Sequence, residues 1–160
     1  MFRRLAVISL VAALATGLAA CGGSSPISHE AYQEKLTALT NQANQQAAVV
    51  LGAIFASKGE LPKLAPQIDA AGDAIGAYAD ELDSITPPED AAEANAKLVK
   101  GFRAADEALH EIGAAAKAGD EKKVKSLSDS LAKGEFAKEL QEAGRMLKAA
   151  GYTLPQGQAQ

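Results

Sequence analysis

The stretch LAPQIDAAGDAIGAYADELDSI, residues 64–85, has the most regular hydrophobic pattern in the chain. Its apolar residues follow one another in alternating steps of four and three: Leu64, Ile68, Ala71, Ile75, Tyr78, Leu82 and Ile85. Such steps place these residues on one face of an α-helix, whereas a half-buried β-strand shows apolar residues at every second position. The pattern predicts an amphipathic helix over about residues 64–84. We expect it to be regular only from about Pro66, because proline interrupts the interior of a helix.

Three further segments carry the same helical spacing, at about residues 29–57, 88–118 and 121–150. Short connections join the four predicted helices, and short connections favour antiparallel neighbours. The sequence therefore predicts an all-α fold, an up-down-up-down four-helix bundle over residues 28–150. A short tail, residues 151–160, follows it.

Several residues mark where these helices begin, end or bend. Ser28 and Asp120 are suited to cap the first and fourth helices, and Pro87-Pro88 separates the second helix from the third. In the last segment the apolar positions fall out of phase at Gly134 and restart at Phe136. The fourth helix is therefore predicted to be kinked or split near Gly134.

The composition limits the classes of protein to which this chain can belong. Its 160 residues suffice for one domain with a hydrophobic core and are too few for two. Lys and Arg number 16 against 20 Asp and Glu, and a formal charge of −4 provides no basic surface for nucleic acid. One cysteine and two histidines exclude a disulfide framework and a cysteine-rich metal site. We expect no nucleic-acid partner, no metal and no cofactor.

Residues 1–20 have the composition of a secretory signal peptide. The cationic start Met1-Phe2-Arg3-Arg4 is followed by small and apolar residues from Leu5 to Ala20, without an acidic residue among them. This run is shorter than the ~20 strongly apolar residues that a transmembrane helix needs. The sequence thus predicts export of the chain rather than a membrane-spanning anchor.

The end of this segment, Leu18-Ala19-Ala20-Cys21, resembles the lipobox of bacterial lipoproteins. The resemblance covers residues 1–21 only. It implies cleavage between Ala20 and Cys21 by signal peptidase II and attachment of lipid to Cys21, and several acyl chains on one residue give durable membrane binding. The implied location is the outer side of the cytoplasmic membrane, or the outer membrane where one exists.

Residues 21–27 form the predicted lipidated tether between the membrane and the bundle. Its glycines and serines make it flexible, and at full extension it reaches only ~20 Å. We therefore expect the bundle to lie close to the bilayer surface.

Residues that could carry catalysis or bind a metal are few. Glu107 and His110 have the Glu-x-x-His spacing of di-iron bundles, but the motif occurs once where two are needed, and both residues lie off the apolar seam. No Gly-x-Ser-x-Gly motif is present. Gly72 and Gly76 form a small-xxx-small pair, which in a helix with several aspartates indicates close helix packing. We expect a non-enzymatic protein without catalytic residues.

Two polar clusters remain as candidate partner surfaces, with plain solvation as the competing interpretation of each. The amide surface lies in the middle of the first helix: Asn41, Gln42, Asn44, Gln45 and Gln46. A lysine cluster lies at the turn between the third and fourth helices: Lys117, Lys122, Lys123 and Lys125. The leading interpretation is a lipid-anchored envelope protein that binds another protein or envelope component. The alternative is a carrier of a small apolar ligand, since an Ala-rich core leaves room for a groove between helices.

Overall fold

A computed structural model describes residues 25–56 and 60–154. Its helices are α1 (His29–Ala56), α2 (Leu61–Asp83), α3 (Ala92–Lys117), α4 (Glu121–Lys133) and α5 (Glu135–Ala149), with a 3₁₀ turn at Glu89–Ala91 before α3. No strand occurs within the two described ranges, and the prediction of an all-α fold is confirmed. The predicted signal peptide, including Ala20 and the lipidation site Cys21, lies outside the described residues.

Helix α2 begins earlier than its sequence pattern predicts. Its first residue is Leu61, with Pro62 in the first turn, where a missing N–H costs no intrahelical hydrogen bond. Pro66 lies inside the helix, although regular structure was expected only from about this residue. The carbonyl that loses its donor is that of Pro62, one turn earlier, so the disruption stays within the first two turns. The prediction of a looser segment before Pro66 was wrong for this reason.

Helices α2 and α3 form the central pair, with the most extensive contact between any two described helices. At one end the Asn95 side-chain Nδ2 of α3 donates a 3.0 Å hydrogen bond to the Leu82 carbonyl of α2. At the other end Leu64 and Ile112 belong to one buried cluster. The end of α2 therefore lies beside the start of α3.

The buried apolar residues form two clusters. The proximal core joins α1, α2, the 3₁₀ turn, α3, α5 and the segment after α5: Tyr32, Leu36, Leu39, Tyr78, Leu82, Ala91, Ala94, Leu98, Val99, Ala143, Leu147 and Tyr152. The distal core joins α2 and α3, with half-buried residues of α4 packed against it: Leu64, Ala65, Ile68, Ile112 and Ala116. The largest fully buried side chains, Tyr32, Leu82 and Leu147, all lie in the proximal core, which therefore holds most of the tightly packed area.

Side chains cap the two helices where caps were predicted. Ser28 Oγ accepts a hydrogen bond from the Ala31 N–H at 3.2 Å, and Asp120 Oδ1 accepts one from the Lys123 N–H at 3.0 Å. One residue before the first cap, the Ile27 N–H donates to the Thr86 carbonyl at 2.9 Å. The chain that leads into α1 is thus tied to the connection between α2 and α3.

Helices α4 and α5 both follow α3, with Gly134 between them in an extended conformation (φ −84°, ψ −154°). No residue of α4 is fully buried, whereas α5 buries Ala143 and Leu147. Ion pairs fix α5 beside α3: Lys97 Nζ lies 2.7 Å from Glu142 Oε2, and Lys100 Nζ lies 2.9 Å from Glu139 Oε1. The first residues of α5 lie against α3 near Gly101, because Phe136 and Glu139 supply the atoms closest to that glycine.

Candidate functional site

Two apolar chambers, each partly open to solvent, lie between the helices. The proximal chamber has a volume of about 390 Å³ and is walled mainly by aliphatic side chains from α1, α2, α3 and α5, among them Leu36, Ile75, Leu98 and Leu140. The distal chamber has a volume of about 530 Å³ and is walled by α2, α3, α4 and the start of α5, with Leu64, Ile68, Ile112 and Leu131 in its walls. Both volumes fall in the range of pockets that hold small molecules, ~300–1,000 Å³.

Phe136 belongs to the walls of both chambers and marks the place where they adjoin. Its ring is tilted by 42° to that of Phe102 in α3, with 6.4 Å between the centroids. Gly101 permits this close approach, because a Cβ at that position would lie 3.3 Å from Glu139 Cβ and 3.6 Å from the Phe136 carbonyl oxygen. The apolar pattern of the sequence restarts at Phe136, and this indicated that the residue faces the core. The pattern could not indicate that Phe136 lines two chambers at once.

The polar groups that reach the chambers are uncharged. Thr40 and Asn44 lie at the proximal chamber, and Ser128 lies at the distal one. No charged side chain of the described residues lines either chamber. Charged side chains lie instead around a separate open depression beside α3, which includes Lys100, Arg103, Glu107 and Glu135. The chambers are therefore suited to an apolar molecule and poorly suited to an ion.

The amide surface lies on the outer part of α1. Asn41, Gln42, Asn44 and Gln45 are exposed, and Gln46 is half-buried. Asn44 is the member that also reaches the proximal chamber. Among the described side chains Val49 is the exposed large hydrophobic residue, with 59% of its surface accessible, and it follows the amide surface on the same helix. The structure thus leaves the amide surface accessible and connects it to the chamber through one residue.

A histidine–aspartate cluster lies across the α2–α3 contact and was not predicted. His110 Nε2 lies 3.1 Å from Asp106 Oδ1 and 3.4 Å from Asp73 Oδ1, and Nδ1 lies 3.7 Å from Asp69 Oδ1. The space for these side chains comes partly from glycine, since a Cβ on Gly76 would lie 2.8 Å from Asp106 Oδ2. The glycines were expected to bring two helices together, but here they accommodate polar side chains of the neighbouring helix.

The cluster does not amount to a metal centre. Across residues 25–56 and 60–154, no group of three His, Cys, Asp or Glu side chains is arranged to hold a metal ion. Glu107 does not share the cluster with His110, so its Glu-x-x-His spacing brings no second ligand into place. Both residues are exposed, as their position off the apolar seam indicates.

The lysine cluster lies at an exposed turn. Lys117, Lys122, Lys123 and Lys125 are all exposed. Lys125 Nζ pairs with Asp129 Oδ2 at 2.7 Å within α4, and this hydrogen bond raises the pKa of Lys125. An intrahelical pair of this kind stabilises a helix slightly and does not indicate a ligand.

Two buried tyrosines, Tyr32 and Tyr152, lie at the end of the bundle where α1 begins. Burial raises the pKa of the Tyr32 phenol far above its ordinary value, and the nearby Tyr152 adds to this rise. Several effects raise the pKa of Tyr152 to about 12. The largest effect is burial, and the next is a 3.1 Å hydrogen bond that the Tyr152 hydroxyl donates to Asp90 Oδ1. The Tyr152 ring also stacks on His29, with 3.9 Å between the centroids. Both phenols stay protonated at neutral pH and act as structural donors.

Comparison with known protein families, with characterised proteins and with solved structures found no match. In the part of the chain that the structure describes, no helix combines the length and the apolarity that crossing a bilayer requires.

Proposed function

We propose that this chain is a lipid-anchored lipoprotein of the bacterial envelope, held through Cys21 on the outer side of the cytoplasmic membrane, or in an outer membrane where one exists. The lipobox-like sequence Leu18-Ala19-Ala20-Cys21 supports this location. In this proposal the helices run up-down-up-down, and α4 and α5 form the fourth arm, bent at Gly134. The short connections and the contact of the end of α2 with the start of α3 support that order.

The bundle, in this proposal, binds a small apolar ligand and does not catalyse a reaction. The observation that carries this function is the pair of adjoining chambers with apolar walls and uncharged polar groups. Both chambers are partly open to solvent, so a ligand that covers their apolar walls gains the free energy of removing this surface from water. A bundle tethered within ~20 Å of a bilayer is also well placed to receive an apolar molecule from it.

Binding of the uncharged fluorescent probe N-phenyl-1-naphthylamine tests this function. The protein is purified from membranes in digitonin, whose bulky steroid is unlike a slender ligand, and probe fluorescence is titrated. We expect saturable enhancement that falls at least tenfold when both chambers are filled by Ala43→Phe and Ala137→Phe together, because both alanines are half-buried residues of the chamber walls. The matched control places the same two side chains at exposed positions outside the chambers, Ala77→Phe with Ser126→Phe, and should bind like the unchanged protein. Equal binding by both double variants would show that the chambers are not the site.

A second candidate function is the binding of an envelope protein through the amide surface. The observation that favours it is the exposure of Val49 beside uncharged amides on one helix, because interface centres are depleted of charge and contain accessible apolar groups.

Photo-crosslinking in cells tests the second candidate. A photoreactive amino acid at Gln42 or Gln45 should capture one reproducible partner, and Val49→Asp should abolish that capture without changing protein abundance. The same amino acid at exposed Ala77 on α2 is the control position. Capture of an identical set of proteins from Ala77 would count against a specific surface on α1.

A further inference from the structure

The two chambers are separate sites. The Phe102 and Phe136 rings stand where the chambers adjoin, and their centroids lie 6.4 Å apart, the spacing of an aromatic pair in contact. The proximal chamber by itself has a volume of about 390 Å³. One water molecule occupies ~30 Å³ of liquid, so this volume holds ~13 groups of similar size, such as methylenes. An occupant of the proximal chamber is therefore about as large as one short hydrocarbon chain with a small polar end.

The proximal chamber has a polar edge, formed by Thr40 and Asn44 of α1. These residues are four positions apart, so their side chains are neighbours on one face of the helix, with ~5–6 Å between the Cβ atoms. Asn44 is exposed and Thr40 is half-buried, so this edge lies where the chamber opens to solvent. The walls from α2, α3 and α5 are apolar, with Ile75, Leu98 and Leu140 among them. A ligand is therefore oriented with its chain against these walls and its polar end at α1.

The two polar side chains differ in their hydrogen-bonding capacity. Thr40 Oγ1 donates its proton to the Leu36 carbonyl at 2.7 Å, so its oxygen is left as an acceptor for a ligand. The Asn44 side chain makes no hydrogen bond to a described residue, so its Nδ2 is available as a donor. The edge thus offers an acceptor and a donor within one turn of helix.

A hydroxyl group matches both partners at this edge. It donates one hydrogen bond, to Thr40 Oγ1, and accepts another, from Asn44 Nδ2. An ether or a carboxylate only accepts, and an ammonium group only donates. The two charged groups also carry a large desolvation cost, because no charged side chain of the described residues lines the chamber.

From the volume, the orientation and the hydrogen-bonding capacity together, we propose that the proximal chamber binds a single-chain lipid whose polar end is a hydroxyl group, held between Thr40 and Asn44. This inference rests on the proposed function, since it names the ligand of one of the same chambers. It goes further in requiring recognition of the hydroxyl group. A ligand held by apolar contact alone would satisfy the proposed function but not this inference.

Competition between 1-decanol and its methyl ether provides the test. The two molecules carry the same chain, but only the alcohol can donate a hydrogen bond. Each competes with N-phenyl-1-naphthylamine on the full chain in digitonin, carrying Ala137→Phe so that the distal chamber is filled and the probe reports on the proximal one. The measured quantity is the inhibition constant of the ether divided by that of the alcohol. We expect this ratio to exceed one.

Thr40→Val should remove the preference for the alcohol. Valine has nearly the shape of threonine and lacks the acceptor, so the ratio should fall about three- to tenfold, the range that one hydrogen bond provides. Thr37→Val is the matched control, because Thr37 Oγ1 also donates to a carbonyl one turn earlier, that of Gln33 at 2.9 Å, but Thr37 lies outside the chamber walls. The control should leave the ratio unchanged. Partitioning of each compound into detergent is the same for every variant, so a change in the ratio reports on the protein.

The other outcomes separate this inference from the proposed function. Absence of saturable probe binding by the unchanged protein would overturn both. Probe binding that Ala137→Phe alone abolishes would place the site in the distal chamber and overturn this inference only. A ratio that Thr40→Val and Thr37→Val change equally, or not at all, would overturn recognition of a hydroxyl group at Thr40 and leave an apolar site. Stronger competition by decanoate or decylammonium than by 1-decanol would overturn the uncharged polar end.

Discussion

The Tyr32 hydroxyl donates a 2.9 Å hydrogen bond to Asn95 Oδ1, joining α1 to α3 across 63 positions of sequence in the interior of the proximal core. The same Asn95 side chain donates through Nδ2 to the Leu82 carbonyl of α2. One buried amide therefore connects three helices. Because a hydrogen bond requires a specific geometry whereas apolar contact is non-directional, this polar contact is well suited to fix the position of α1 along its neighbours.

Loss of the Tyr32 hydroxyl should destabilise the fold. In Tyr32→Phe the Asn95 oxygen stays buried without its donor, so we expect the free energy of unfolding to fall by ~1–3 kcal/mol. Tyr78→Phe is the matched control, since Tyr78 is also buried but no hydrogen bond of its hydroxyl to a described residue is seen. Urea unfolding followed by circular dichroism measures both. Equal losses in the two variants would contradict a specific role for the Tyr32–Asn95 contact.

Two glycine-to-alanine substitutions should change stability by different amounts. In α5, a Cβ on Gly144 would meet Leu154 Cδ1 at an ordinary 3.6 Å, so Gly144→Ala should gain helix propensity, up to ~1 kcal/mol. In α2, a Cβ on Gly76 would lie 2.8 Å from Asp106 Oδ2, so displacement of that carboxylate should offset part of the same propensity gain, and Gly76→Ala should stabilise the protein less than Gly144→Ala does.

A double-variant cycle tests the cause assigned to the second change. In the Asp106→Ala background the obstacle is absent, and Gly76→Ala should then stabilise the protein as Gly144→Ala does. Thermal unfolding of the single and double variants provides the coupling free energy. A coupling near zero would mean that Asp106 does not restrict Gly76.

Stability should fall in alkaline solution partly through Tyr152. Its pKa of about 12 in the folded protein exceeds the ordinary value of 10.0, so the folded state holds this proton more tightly. The resulting stability is complete below pH ~10 and is lost as the pH rises from there through 12. Lysines also titrate in this range, so the measurement compares urea unfolding of the unchanged protein and Tyr152→Phe from pH 9 to 12. The variant should show the shallower decline, and parallel curves would contradict the prediction.

Replacement of the lipidation residue should abolish processing. Cys21→Ser removes the thiol on which lipid is expected, so the precursor should accumulate uncleaved and should not incorporate an alkyne-labelled fatty acid. Electrophoretic mobility and fluorescence after click coupling measure the two effects. Ser24→Cys in the Cys21→Ser background is the control, because a thiol away from Leu18-Ala19-Ala20 should not restore labelling. Unchanged labelling of Cys21→Ser would refute lipidation at this residue.

The helical stripes were predictable from sequence, whereas the contacts between helices were not. The spacing of Leu64, Ile68 and Ala71 depends only on the number of residues per turn in one helix. All three residues are buried, as the pattern predicts. The proximity of His110 to Asp69 and Asp73 depends on how α2 and α3 are placed against each other, which no single stripe specifies. Phe136 as a wall of two chambers likewise depends on four helices at once. Pro66 within α2 is an exception to the rule that proline interrupts a helix. It lies near the start of the helix, so only one hydrogen bond is lost.

Two contacts attach the start of α1 to the rest of the bundle. The Ile27 N–H donates a hydrogen bond to the Thr86 carbonyl, and the His29 ring stacks on Tyr152. With an anchor at Cys21, thermal motion of the membrane would pull on the chain just before α1. The first contacts to resist would lie on the α2–α3 connection, through Thr86, and on the segment after α5, through Tyr152, so these two parts of the chain would share the load. In the proposed anchored form, these two contacts would oppose separation of the start of α1 from the rest of the bundle.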